Sequence, residues 1–189
     1  MKLALRATRR ILGGSALLVT AAVLPGTILA PTAASAAPAA PVVSAAKATP
    51  NWNTVRCFIR QTRVSLGRPN GTAGTIFYPL RFTNISRHTC SFFGWPKTWA
   101  ESQDGRIIGN ASRSVSGPRP FLVLRPGQTV HSTLGIIEAG NICRKPVTAV
   151  NLRVRAPHQV FTQLLRFKFQ ACHGHVTVMT VTPVVPGRG

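Results

Sequence analysis

Cys172-His173-Gly174-His175 brings a thiol and two imidazoles within four residues. A cysteine beside a histidine is the minimum for nucleophilic catalysis. Two histidines one residue apart share a face when the backbone is extended, as a copper or zinc clip would need. Neither chemistry is completed elsewhere in the chain. A good metal site takes further ligands, and His88, His131 and His158 have no visible reason to converge on His173 and His175. Cys172 reads better as a disulfide cysteine in a strand-connecting loop. Acid–base catalysis by paired carboxylates needs two placed groups with separated pKa values, and the chain has only Glu101, Asp104 and Glu138. Asp104 falls in a turn, and no motif surrounds the other two. No Gly-x-Ser-x-Gly elbow and no nucleic-acid-binding motif is present. The expectation is a protein that is not an enzyme, with no cofactor and no metal. An uncharacterised hydrolase or metal-dependent enzyme is the lesser alternative; it would need a cleft gathering His173, His175 and an acid.

The residues that must position any site begin after an address. Lys2, Arg6, Arg9 and Arg10 precede an apolar run from Ile11 to Leu29, and Ala34-Ser35-Ala36 is a small-x-small cleavage site. This is the tripartite secretory pattern. It marks 1–36 as a signal peptide, with Thr8-Arg9-Arg10 loosely resembling a twin-arginine signal. Residues 37–53, mostly Ala, Pro, Val and Ser, read as a flexible linker. The folded domain spans 54–185 and a short tail 186–189. All four cysteines, Cys57, Cys90, Cys143 and Cys172, lie in that domain. An even count in an exported domain argues for two disulfides, with three connectivities open by spacing alone. A zinc site is disfavoured because no two cysteines lie two to four residues apart.

Short alternating segments divided by Gly and Pro turns fill the domain. Tyr78, Leu80 and Phe82 alternate with Pro79, Arg81 and Thr83, the period of a half-buried strand. Further strands are expected over 55–66, 89–93, 149–155, 161–169 and 176–182. Hairpins are expected at 98–108, across Gln103-Asp104-Gly105, and at 121–137, across Arg125-Pro126-Gly127-Gln128. Residues 67–74 and 112–120 read as a turn and a loop, and 139–146 as a loop holding Cys143. No stretch has helical periodicity. The expected fold is all-β, an immunoglobulin-like antiparallel β-sandwich with two disulfides.

The formal net charge is +20, with 23 Lys and Arg against three acids. Four of those bases fall in 1–36, so the domain and linker keep 19 and a net charge of +16. Arg60, Arg63, Arg81, Arg153, Arg155, Arg166 and Lys168 fall on outward strand positions. Such a face either keeps a domain soluble or binds anions. Outside a cell the polyanions are wall polymer, lipid headgroups and released DNA. The leading expectation is a secreted, non-enzymatic domain at or outside the cell envelope, held electrostatically to anionic polymer or lipid. The alternative is a protein-partner module using an aromatic patch around Trp95 and Trp99. The aromatic cluster Phe92, Phe93, Trp95 and Trp99 is either a ligand platform or core, and Phe92 above all reads as core. Asn70, Asn84 and Asn110 head formal glycosylation sequons.

Cys57 on an opening strand, Phe82-Thr83-Asn84-Ile85-Ser86, Thr89-Cys90 and Gly94-Trp95-Pro96 form the first half of a longer pattern. Leu124-Arg125-Pro126-Gly127, Cys143, Leu152-Arg153-Val154 and Cys172 form its second. Together they resemble the domain of unknown function 4232, found in secreted and lipoprotein-like proteins of high-GC Gram-positive bacteria. The resemblance covers about 55–185. It implies an export signal and a β-sandwich, implies no established activity, and supplies no catalytic residues. A charge this basic departs from that pattern. In many sandwiches the first and last strands run side by side in parallel, which would place Cys57 near Cys172 and leave Cys90 with Cys143.

Overall fold

The structure, a computed structural model, describes residues 54–189; the signal peptide expected over 1–36 and the linker over 37–53 lie outside the described residues. Thirteen strands and two 3₁₀ turns make up the domain. In chain order the strands are β1 Thr62–Leu66, β2 Asn70–Thr72, β3 Thr75–Asn84, β4 Cys90–Phe92, β5 Lys97–Glu101, β6 Ile107–Ile108 and β7 Arg113–Ser114. They continue with β8 Leu122–Leu124, β9 Thr129–Ile137, β10 Val147–Arg155, β11 Gln163–Ala171, β12 Met179–Val181 and β13 Val185–Pro186. No α-helix occurs among the described residues. The all-β expectation holds.

The larger sheet has the order β1-β3-β9-β12-β7, with β2 also on β3 and β13 also on β9. The smaller runs β11-β10-β5-β6, and β4 and β8 form a separate ribbon. Alternation sets which side of each strand is buried. Leu80 and Phe82 of β3, Leu134 of β9 and Met179 and Val181 of β12 are buried on the larger sheet. They belong to the same core as Ala100 of β5 and Ala149, Leu152 and Val154 of β10 on the smaller one. Tyr78 meets Phe167 edge-on at 5.0 Å, and Phe82 lies 5.1 Å from Phe92 of the ribbon. The apolar faces therefore share one core, whose burial is the main stabilising term.

Pro79 shows how the larger sheet tolerates a residue with no N–H. Its carbonyl accepts from Gly67 N at 2.7 Å, just past the last β1–β3 pair at Leu66 and Leu80. The reciprocal bond that proline cannot give thus falls at the end of β1 and not inside the ladder. Pro183 lies between two short strands. Val181 pairs with Leu134 but Val185 with His131, so one extra residue is accommodated between β12 and β13, a bulge in which proline is tolerated.

Several expectations need correction. The strand over 55–66 is broken by a 3₁₀ turn at Ile59–Gln61. Before the turn the chain bridges β4, with Cys57 N on Ser91 O and Ser91 N on Val55 O. After it, β1 pairs with β3. One straight strand cannot reach both neighbours. The segment 121–137 has the expected turn, with Gly127 at φ 79 and Gln128 N on Arg125 O, but is no hairpin: β8 pairs with β4, and β9 with β3 and β12. Within 67–74 and 112–120 lie the short strands β2 and β7. Alternation would put Val176, Val178 and Thr180 on one inward face of the last strand; instead Val178, Met179 and Val181 are buried and Thr180 is half-buried. The segment past Pro183 is docked, since Pro186 pairs with Val130.

The nested disulfide pairing is overturned. The bridges are Cys57–Cys90 and Cys143–Cys172. The first strand does not lie beside the last; the parallel pair is β12 with β7. The parallel bridge between Arg56 and Ser91 brings the segment of Cys57 alongside β4, where the Cα atoms of Cys57 and Cys90 lie 4.8 Å apart. The β10–β11 hairpin sets Val147 against Ala171, which carries Cys172 to the loop that holds Cys143.

Candidate anion-binding face

Opposed residues of neighbouring strands share a face. Lys97 lies opposite Arg155, Trp99 opposite Arg153, and Glu101 opposite Asn151; Asn151 in turn lies opposite Arg166. The outer face of the smaller sheet thus gathers Arg153, Arg155, Arg166 and Lys168 of the expected cations. It adds Lys97, which the sequence reading did not single out. One acid, Glu101, lies among them.

Glu101 is almost fully buried, under Arg153. The Arg153 Nε and Nη2 both meet Glu101 Oε2, at 2.6 and 2.5 Å, and Nη1 donates to Thr162 Oγ1 at 3.2 Å. Arg153 is therefore a structural ion pair rather than an open anion site. The Arg155 guanidinium lies 5.2 Å from the centre of the Trp99 ring, a cation–π contact made by a half-buried side chain. Alternation with Leu152 and Val154 would put Val150 inward, but a register shift between Ala149 and Asn151 leaves it half-buried beside the buried Ala149. The shift opens a depression of about 380 Å³ lined by Gln103, Val150, Asn151, Arg166, Phe167 and Lys168. Bulges re-aim side chains in this way. Arg166 and Lys168 are exposed at its rim.

The remaining expected cations lie apart from this face. Arg63 and Arg81 are on the outer side of the larger sheet, and Arg60 is in the 3₁₀ turn. Arg81 is engaged, donating from Nε to Arg188 O at 2.6 Å and from Nη2 to Gly189 O at 3.1 Å. The seven do not form one patch.

Trp95 and Trp99 form no bare apolar patch. Arg119 lies 5.0 Å from the Trp95 ring centre, and Trp95 Nε1 donates to Val115 O at 2.8 Å. Phe92 is core, while Phe93 is only half-buried and stacks on His158 at 4.2 Å. His173 and His175 are exposed. Among the described residues no three His, Cys, Asp or Glu side chains gather as a metal would need. Asp104 lies in its expected turn, 3.1 Å from Arg106 Nε; the Ser102 hydroxyl, and to a lesser extent Arg106, hold its carboxyl below the usual carboxylate value.

Two features escaped the sequence reading. His158 has φ 57, the one positive φ of a non-glycine among the described residues. It follows Pro157 in a turn closed by Gln159 N on Ala156 O, at a position that favours Gly or Asn. The residue is exposed, but partial desolvation of its ring, with Arg56 adding, lowers its imidazole pKa from 6.5. Beside it, Phe58, Val160 and Phe161 stand out into solvent. A Pro-His dipeptide and a lone Val-Phe pair in a loop were the only signals of either.

The residues that carried the family resemblance meet in space, but as scaffold. Asn84 is fully buried. Its Nδ2 donates to His88 O and Leu124 O at 2.8 and 3.0 Å, and its Oδ1 accepts from Ser86 N and Oγ at 3.0 and 2.8 Å. Its backbone bonds Gln128 O and Gly127 N. Phe82-Thr83-Asn84 is thus clamped onto Leu124-Arg125-Pro126-Gly127. Asn84 is closed to glycosylation in the folded domain. Gly94, at φ 91, sits against the His158 ring, which a Cβ would meet at 3.2 Å.

No curated protein and no solved structure matches the chain. The family model described as domain of unknown function (DUF4232) matches residues 57–185, which is nearly the whole described domain. On that match the chain belongs to the DUF4232 family.

Proposed function

We propose that the chain is an exported, non-enzymatic binding domain of the cell envelope. In this reading it attaches to an anionic polymer or lipid through the outer face of the sheet β11-β10-β5-β6. The observation that carries the proposal is the grouping of Lys97, Arg153, Arg155, Arg166 and Lys168 there with Glu101 as the one acid. Two disulfides are consistent with an extracellular location. Arg166 and Lys168 are exposed beside a depression that a phosphate or carboxylate fits, and Arg155 is fixed over Trp99. Arg153 contributes through its field and holds the strands, since its hydrogen bonds go to Glu101 and Thr162. Four net charges at ~1 kcal/mol each correspond to about a thousandfold retention on an anionic surface at low salt.

The test is binding to immobilised polyphosphate and to phosphatidylglycerol vesicles over a salt series. Retention is expected to fall steeply with salt. Arg166→Gln with Lys168→Gln is expected to lower affinity tenfold or more, and Arg63→Gln much less. Equal retention at high and low salt, or no difference between these variants, would refute the proposal. The reading centred on Trp95 and Trp99 is less favoured, because each ring already carries a guanidinium.

A further inference from the structure

A second surface carries a separate inference. The β10–β11 connection and the segment before β1 meet at one end of the domain. Val160 is 81% exposed, Phe161 70% and Phe58 55%. Together with Arg56, Arg60 and His158 they border a hollow of about 580 Å³. Exposure this high means that the apolar side chains protrude rather than line a wall. Contiguous exposed apolar residues mark interaction sites.

The protruding groups are held in place. Gln159 Nε2 donates to Cys57 O at 2.7 Å. Gln163 Nε2 donates to Ile59 O and Thr62 O at 2.8 and 2.6 Å, and Gln163 Oε1 accepts from Val64 N at 3.2 Å. Gln61 Oε1 fixes the Phe58 N–H at 3.0 Å. The Cys57–Cys90 bridge anchors the same segment. Two glutamines therefore tie both loops together, so that Phe58 and Phe161 are presented from one braced platform.

We infer that this end of the domain is a membrane-docking tip that inserts Phe58, Val160 and Phe161 into the interface of an anionic bilayer, with Arg56 and Arg60 on its phosphates. Charge complementarity selects that occupant: two exposed arginines flank the apolar tips, and no acid borders the hollow. Apolar and aromatic groups buried at the headgroup boundary, with adjacent cations on anionic lipid, are how interfacial binding is built. The inference does not depend on the basic sheet face, because different residues carry it.

The experiment uses protein recovered from the medium of a secreting host. Probes are phosphatidylglycerol vesicles, phosphatidylcholine vesicles and soluble polyphosphate. The wild type is expected to bind phosphatidylglycerol vesicles, keeping a part of that binding at salt that abolishes polyphosphate binding. Val160→Ser with Phe161→Ser is expected to weaken vesicle binding by about tenfold or more and to leave polyphosphate binding unchanged. Both sites are exposed, so far-UV circular dichroism should be unaltered. Phe161→Trp is expected to keep vesicle binding and to shift its emission to the blue on adding vesicles. The inference is overturned if the serine variant binds vesicles as the wild type does, or if the wild type binds none. It is also overturned if the serine variant turns a wild-type dimer into a monomer with vesicle binding unchanged, which would give the tip to a second copy.

Discussion

Asn84→Ala is the substitution that most directly probes why this sequence adopts this fold. The side chain is fully buried and makes four hydrogen bonds, to His88 O, Leu124 O, Ser86 N and Ser86 Oγ. Alanine removes all four. The Ser86 and His88 groups lie near the surface and can turn to water, at a net cost of ~1 kcal/mol or less each. The Leu124 bond is the buried one; its stranded carbonyl costs ~1–3 kcal/mol. A small void adds to this. The total is about 3 kcal/mol, which in a domain of this size lowers Tm by about 10 °C. Urea unfolding followed by tryptophan fluorescence, with disulfides intact, measures it. The midpoint should fall at unchanged m-value. Asn110→Ala, at an exposed sequon, should stay within about 0.5 kcal/mol of wild type. Asn84→Asp sharpens the test, because its second oxygen would face the Leu124 and His88 carbonyls. It should destabilise at least as much at neutral pH and recover in acid, where a protonated carboxyl can donate. An Asn84→Ala variant within about 1 kcal/mol of wild type would refute the clamp as a stabilising element.

Two further outcomes follow from the geometry. Cys143→Ala with Cys172→Ala opens a bridge of sequence separation 29 and should cost about 4 kcal/mol by loop entropy; a non-reduced peptide map should yield Cys57–Cys90 and Cys143–Cys172 peptides, and a Cys57–Cys172 peptide would overturn the strand order. His158 has its folded pKa lowered from 6.5 by partial desolvation of its ring, with Arg56 adding. The unfolded chain therefore binds the proton more readily, and His158's share of stability is present above about pH 6.5 and lost as pH falls through that value toward the folded pKa. His158→Asn, which tolerates the same positive φ, should flatten that part of the stability–pH curve; an unchanged curve would count against the assignment.

What could be read in advance was local. Period-two alternation located β3, β9, β10 and β11 because each buries one face, and Pro126-Gly127 gave its turn because only glycine suits that φ. What could not be read was pairing. The turn at Arg125–Gln128 looks like a hairpin in sequence, but it passes the chain from the ribbon to the larger sheet, because Asn84 holds both its ends. The disulfides followed from the same gap: the β10–β11 register alone brings Cys172 to Cys143, whereas a first-to-last parallel pair was assumed. The basic face was half legible. Alternation put Arg153, Arg155, Arg166 and Lys168 outward, but only the sheet order adds Lys97, removes Arg63, Arg81 and Arg60, and reveals that Glu101 occupies Arg153. The tip was illegible because Phe58 and Val160 are 102 residues apart in sequence and meet through glutamines, which carry no pattern.

The division between motif and surface bears on where specificity in this domain resides. Asn84, Gly94, Gly127 and the four cysteines act on one another: they clamp a turn, admit an imidazole ring, or cross-link neighbouring strands, and each exhausts its chemistry inside the domain. Arg166, Lys168, Phe58 and Phe161 do the reverse. They stabilise little, expose much, and sit on elements whose backbone geometry the scaffold already fixes, through the β10–β11 register shift for the first pair and the Gln159 and Gln163 bonds for the second. Changing them should alter what the domain holds without altering how it folds, whereas changing Asn84 should do the opposite. A single purified set of variants scored for both unfolding midpoint and vesicle retention separates the two classes. A surface variant that lost stability and retention in proportion would collapse the distinction.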